Sequence, residues 1–279
     1  MLGKIIQFIK NFQLIEGIST AILDERIEKL KALPKHSDPK CLIPYGYKIY
    51  SQSEEDGMIA EIFNRIGVTN RFFVEFGVGN GLENNTLALL FQGWKGLWIE
   101  ASTSRVKVIS KKLPKTISSG KLKVINAFIT TQNINELIKP NVSEESIDLL
   151  SVDIDGNDFN VFSAISCIKP RLVVIEYNAK FPPPILYQMQ YKDDFIWQET
   201  DCLGISIKSL EIGMKEKGYS LVGCNLSGAN AFFVKDELVK DHFLEPFTAE
   251  NHYQPVRYYL IKKPSGHRPS FDTLDTARN

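Results

Sequence analysis

Residues 71–81 read Arg-Phe-Phe-Val-Glu-Phe-Gly-Val-Gly-Asn-Gly, and this stretch decides the fold. A short apolar run, Arg71–Phe76, passes directly into glycines at 77, 79 and 81. Leu87, Leu90 and Phe91 follow at helical spacing. Strand, glycine turn and helix in that order let a backbone approach a ligand closely and turn helix N-terminal amides toward it. Outward from this unit, apolar runs alternate with helical stripes. Strands are expected at 96–99, 122–127, 147–152 and 172–175. Helices are expected at 104–113, closed by Pro114, and at 133–138 and 157–165. That alternation predicts a parallel sheet covered by helices on both faces.

The pattern changes near the end. After a long connection, 179–205, the sequence predicts a helix at 206–217. Two strands follow, 219–224 and 230–234, joined through Leu226-Ser227-Gly228. A link that short suits a hairpin. A mostly parallel sheet of seven strands that ends in an antiparallel hairpin is the Rossmann-like sheet common to methyltransferases. Upstream, Ser53 reads as the N-cap of a helix whose first turn holds Glu54, Glu55 and Asp56. Ile59, Ile62, Phe63 and Ile66 form its buried stripe.

Two acids refine the ligand. Glu75 sits two residues before Gly77, where a carboxylate would repel a pyrophosphate and suits an ammonium group. Glu100 ends the second strand, 19 residues after Gly81, the position from which an acid accepts hydrogen bonds from ribose hydroxyls. Together with the glycines they favour a nucleoside that carries an amino-acid tail, which describes S-adenosylmethionine.

Glu75–Gly81 resembles motif I of class I S-adenosylmethionine-dependent methyltransferases. Ser51-Gln52 with Glu55-Asp56, Leu149–Asp158 (LLSVDIDGND) and Val173–Asn178 (VVIEYN) resemble FkbM-like methyltransferases more specifically. The resemblance covers about residues 50–235. It departs at Glu75, commonly Asp in that family, and at Asp153–Asp158, where D-x-x-G-x-E is common. It implies an O-methyltransferase acting on a hydroxyl of a sugar, glycan or related small molecule. The implied cofactor-binding residues are Glu75, Gly77, Gly79, Gly81, Asn85, Glu100 and Asp153.

Asp153 and Glu176-Tyr177-Asn178 end the fourth and fifth strands, which are neighbours in such a sheet. Asp153, Glu176 and Asn178 are therefore expected to present oxygens to one hard cation such as Mg2+. A hydrogen-bonded polar cluster without metal is the competing reading. Asp153 is the expected catalytic residue, as metal ligand or base. A calcium loop starting at Asp153 is disfavoured because its twelfth position is Ala164. Tyr177, Tyr187, Tyr191 and Trp197 are the expected substrate contacts, with an arm that packs by its own aromatics as the alternative.

Composition bounds the rest. Lys+Arg and Asp+Glu are 33 each, so no general basic surface calls for nucleic acid. No apolar run approaches the ~20 residues that span a bilayer. Cys41, Cys167, Cys202 and Cys224 are far apart, which fits a reduced, cytoplasmic protein. The expected organisation is an N-terminal helical extension (1–50), a methyltransferase domain (51–240) with the 179–205 insertion, and a partly disordered C-terminal extension (241–279). Leu2, Ile5, Phe8, Ile9, Phe12 and Ile15 recur at helical steps. That stripe packs on the domain, pairs two copies, or lies peripherally on a membrane. Two other functions stay open: a non-catalytic binding or assembly protein on the same fold, and a nicotinamide oxidoreductase. Glu75 and the closing hairpin count against the second.

Overall fold

The structure, a computed structural model, describes residues 2–261 and Leu274, with only the backbone of residues 2–14 and Glu16. Its centre is a sheet of strands β1 (Phe72–Phe76), β2 (Lys95–Glu100), β3 (Leu122–Asn126), β4 (Ser146–Val152), β5 (Lys169–Glu176), β6 (Tyr219–Cys224) and β7 (Asn230–Lys235). The spatial order is β3-β2-β1-β4-β5-β7-β6. β7 runs antiparallel to β5 and to β6, while the pairs among β1–β5 are parallel.

Strand side chains alternate between faces, and both faces are buried, so the strands read as continuous apolar runs. Val74, Phe76, Leu97, Leu150 and Val173 pack one layer with Ile134, Val161 and Met214. Phe73, Trp98, Leu149, Leu172 and Phe232 pack the other with Met58, Ile62 and Ile109. Each fully buried Phe or Ile side chain contributes about 2 kcal/mol of transfer free energy.

Among the helices are α1 (Leu2–Lys31), α2 (Glu55–Ile66), α3 (Leu87–Phe91), α4 (Thr103–Lys112), α5 (Pro114–Ser118), α6 (Ile134–Ile138), α7 (Asp158–Ala164) and α8 (Ile207–Glu216). The stretch around Pro114, the start of α2 and the start of β5 compare with the sequence expectation as follows. α4 ends before Pro114 as expected, and Pro114 then opens the separate short helix α5, in whose first turn its missing N–H costs nothing. The N-cap position of α2 is Glu54 rather than Ser53, with no side-chain capping bond, while Asp56 and Glu55 accept the amides of Ser51 and Ser53 in the preceding loop. β5 begins at Lys169, before the expected 172, since Pro170 is tolerated near a strand's start.

In α1, Leu23, Ile27 and Leu30 pack beside Cys41, Ile43, Leu226 and Leu260. Ile15, Ile18 and Ile22 are exposed. The side chains of Leu2, Ile5, Phe8, Ile9 and Phe12 lie outside the described residues, as does the tail expected to be disordered from Gly266, Leu274 excepted. No described helix is long and apolar enough to cross a membrane.

Candidate active site

The glycine loop leaves β1 at Phe76. Gly77, Gly79 and Gly81 all have positive φ, 72°, 58° and 77°. A Cβ on Gly77 would lie 1.7 Å from the carbonyl oxygen of Asp153, so this glycine lets the β1 and β4 loops touch. A Cβ on Gly79 would meet nothing within 4 Å, so the loop's crest is open. Glu100 shapes that crest. Its two carboxylate oxygens accept the Gly79 and Ser102 amides, each at 2.8 Å. Arg105 stands 3.7 Å from the same carboxylate.

Glu75 and Asn85 lie behind the loop. Glu75 is 3% exposed and accepts from the Asn85 amide (2.8 Å) and the Thr86 hydroxyl (2.5 Å). Asn85 donates its side-chain amide to Ser151 Oγ at 3.0 Å. Burial pushes the Glu75 carboxyl up to about 7, against the pull of these donors. Both side chains hold the start of α3 against β1 and β4. They support the loop from within, where the sequence reading had them facing the ligand.

β4 and β5 pair with Val152 opposite Ile175, so the next residues, Asp153 and Glu176, emerge side by side. Asp155, in the left-handed region at φ 58°, brings a third acid. One carboxylate oxygen from each of the three falls within 4.8 Å of the others. Among the described residues no Lys or Arg lies within 4.0 Å of these carboxylates. Asp153 is held well above the usual carboxylate range, first by burial, then by Asp158, Asp155, Glu75 and Glu55. Glu176 is raised likewise by burial and then by Asp153, Asp158 and Asp155. Burial also raises Asp155, with Arg105 opposing. Asp158 closes the turn by accepting the Ile154 and Gly156 amides at 2.8 Å, and burial places it at about 6.

Asn178, expected beside Asp153 and Glu176, is engaged elsewhere. Its amide nitrogen donates to the carbonyls of Asp201 (2.9 Å) and Leu203 (3.0 Å), and its oxygen accepts the Lys180 amide at 3.1 Å. It fastens the 179–205 arm to the strand end, and the third oxygen of the cluster comes from Asp155 instead. Asn157 makes a second fastening, donating to the Lys192 carbonyl at 2.7 Å. Phe195 packs over Gly156, where a Cβ would come within 2.5 Å of its ring.

Between this arm and the acids lies a cavity of about 650 Å³. Trp197 and Tyr177 line it. Tyr177 contributes only wall, because it is buried and its hydroxyl donates to the Gln254 carbonyl at 2.7 Å. Tyr187 and Tyr191 are not in the lining. Tyr187 stacks on Phe181 with centroids 4.1 Å apart. Tyr191 receives the Thr131 amide at 3.0 Å and donates to Asp193 at 2.5 Å, so it serves the arm's own packing.

The sequence reading missed Gln52 and Tyr258 in the lining. Tyr258 carries no local signal. Gln52 had one in the acids that follow it. Asp56 Oδ2 accepts the amides of Ile49, Tyr50 and Ser51 and the Ser51 hydroxyl at 2.7–2.8 Å. That carboxylate fixes the turn that carries Gln52. Glu55 binds the side chains of Asn225 (2.6 Å) and Asn230 (3.0 Å). Glu54 accepts the Leu226 amide and is pushed to about 7 by burial and by Glu55. The two asparagines thereby tie the final hairpin to α2. His252 is buried against the Leu244 carbonyl and lowered to about 4, away from the acids.

A seven-strand sheet in the order 3-2-1-4-5-7-6, its seventh strand antiparallel and a glycine loop after the first, is the Rossmann-like sheet found in class I methyltransferases. Within that class, residues 69–201 match the family model described as the methyltransferase FkbM domain. The solved structures it is similar to include a putative caffeoyl-CoA O-methyltransferase from Staphylococcus aureus, 13% identical, TM-score 0.46, covering 84% of this chain and 100% of that one. Another is the magnesium protoporphyrin IX methyltransferase of Synechocystis with bound S-adenosylmethionine (12%, TM-score 0.40, 65% and 77% covered). A third is the N-terminal domain of EvdMO1 with S-adenosylhomocysteine bound (12%, TM-score 0.42, 76% and 94% covered). No curated protein matches the chain.

Proposed function

We propose that this methyltransferase transfers the methyl group of S-adenosylmethionine to a hydroxyl of a sugar or related polyhydroxylated molecule. The single observation that carries this reading is the convergence of Asp153, Asp155 and Glu176, with no basic side chain among the described residues within 4.0 Å, two of them lining the cavity. The open crest at Gly79 and the carboxylate of Glu100 support a nucleoside lying across the loop. A carboxylate retains free lone pairs after accepting two amides, so Glu100 can still receive ribose hydroxyls.

An acceptor hydroxyl is a weak nucleophile and must lose its proton as it attacks. Asp153 takes that proton. Its raised pKa makes it a stronger base than an ordinary aspartate. The new bond joins acceptor oxygen to methyl carbon, the carbon–sulfur bond breaks, and its electron pair leaves the sulfur as a neutral thioether. The arm and the Gln52 turn orient the acceptor and exclude water. Asp153, Asp155 and Glu176 together also fit a hard divalent cation such as magnesium. When bound, that ion supplies Lewis acidity to a hydroxyl and neutralises the crowded acids.

Calorimetric titration of the full chain with S-adenosylhomocysteine, with and without magnesium, tests this. Saturable nucleoside binding is expected in both conditions, and a separate magnesium heat is expected that disappears in Asp153→Asn. Absence of nucleoside binding sinks the proposal. Magnesium heat that survives Asp153→Asn removes the cation from these acids.

A further inference from the structure

The charge around the cavity bears on what enters it. Its floor carries Asp155 and Glu176, and its outer wall carries Glu199 and Asp201. Among the described residues Lys180 is the single basic residue of the lining, and its ammonium already stands 3.3 Å from Asp201. Among the described residues no arginine and no unpaired lysine lines the space to receive an anion. Two partly exposed rings complete the wall, Trp197 (44%) and Tyr258 (47%). The indole N–H of Trp197 is turned away to the Thr200 carbonyl at 2.7 Å. The Tyr258 hydroxyl feels the floor, being raised by burial and then by Glu176 and Asp153.

Carboxylates and exposed aromatic faces share one complementary ligand group, a compact organic cation. It is attracted by the charge and by the ring quadrupoles. A phosphate or carboxylate in the same place meets like charges. We propose that the cavity selects a hydroxylated amine: an amino sugar or amino polyol whose protonated amine lies against Glu199 and the Trp197 and Tyr258 rings. An acceptor whose phosphate or carboxylate must enter the cavity is rejected. Sugar phosphates and nucleotide-linked sugars are thereby excluded unless their anionic part stays outside. This rests on the reading of the cavity as the acceptor site. It applies to the cavity with no divalent cation on the inner acids, since such an ion would neutralise them and offer an anion a partner.

Fluorescence of Trp197 reports the event, since Trp94 and Trp98 are buried (4% and 0%). The full chain, in chelator and with saturating S-adenosylhomocysteine, is titrated with glucosamine, N-acetylglucosamine and glucose 6-phosphate at a pH where the amine is protonated. Glucosamine is expected to bind at least about tenfold more tightly than its N-acetyl form, and the phosphate not to bind. Glu199→Gln, an exposed substitution, is expected to cut the preference about threefold. Equal binding of glucosamine and N-acetylglucosamine, binding of glucose 6-phosphate as tight as glucosamine, or no response to glucosamine each overturns the proposal. S-adenosylhomocysteine binding is measured separately. If it fails while the sugars discriminate, the methyl-transfer reading falls and the cavity's selectivity stands. If it succeeds without discrimination, only the selectivity falls.

Discussion

Replacing Gly77 and Gly79 one at a time by alanine separates two demands placed on the same loop. Both glycines have positive φ, 72° and 58°, so either alanine carries the left-handed penalty of about 1–2 kcal/mol. They differ in what the new methyl group meets. At 79 it enters open space. At 77 it lies 1.7 Å from the Asp153 carbonyl oxygen. A normal C···O contact is about 3.3 Å, so the two loops must part by roughly 1.6 Å. Overpacking of that kind adds about 1–3 kcal/mol. Gly77→Ala is therefore expected to lose about 4 kcal/mol of unfolding free energy and Gly79→Ala about 1 kcal/mol. Urea unfolding followed by circular dichroism measures both. S-adenosylhomocysteine titration then asks the functional question. Gly79→Ala, folded and nearly as stable as wild type, is expected to bind the nucleoside at least about tenfold more weakly, because its methyl group occupies the crest where the ligand backbone approach is needed. Equal stabilities for the two variants would refute the contact argument at Gly77. Unchanged nucleoside affinity in Gly79→Ala would refute the crest as cradle.

Three other outcomes follow from described contacts. Asp56→Ala removes four hydrogen bonds to the turn that carries Gln52, and about 3 kcal/mol of stability is expected to go with them; unchanged urea unfolding would dissociate the turn from the fold's stability. Glu54 and Glu75 hold protons to about 7 in the native state, against 4.5 for an ordinary glutamate. The unfolded chain ionises first, so these two groups are expected to make stability fall as pH rises from 4.5 to about 7. Glu75→Gln should flatten part of that slope, and a slope of opposite sign would refute the assignment. Asn178→Ala frees the carbonyls of Asp201 and Leu203, so trypsin should cut the arm at Lys180 and Lys192 several-fold faster while the sheet's unfolding midpoint moves little. Equal cleavage rates would show that the fastening is not made there.

The sheet was legible because parallel strands buried on both faces are written as plain apolar runs, as in Leu149–Val152 and Leu172–Ile175. The closing hairpin was legible from the short Leu226–Gly228 link. Knowing that β4 neighbours β5 was enough to put Asp153 beside Glu176. The direction of individual side chains was not legible. Asp155 reaches the cluster only because its backbone turns left-handed, which sequence spacing does not encode. Asn178 has the right chemistry at the right strand end, but carbonyls 23 and 25 residues away claim its amide. Glu75 turns inward because Thr86 and Asn85 wait beneath the loop. Tyr258 reaches the cavity from beyond the last strand, and nothing near it in the chain announces this.

The arm over the cavity is anchored through its main chain. Asn157 grips the carbonyl of residue 192, and Asn178 grips those of 201 and 203. Main-chain carbonyls are the same whatever side chains flank them. Trp197 and Glu199 lie between these anchors, so their identities can change while the attachment persists. The fold thereby separates how the roof is hung from what it displays. Exchange of the segment between the anchors, in evolution or in the laboratory, is a route to a new acceptor that leaves the glycine loop and the acids in place.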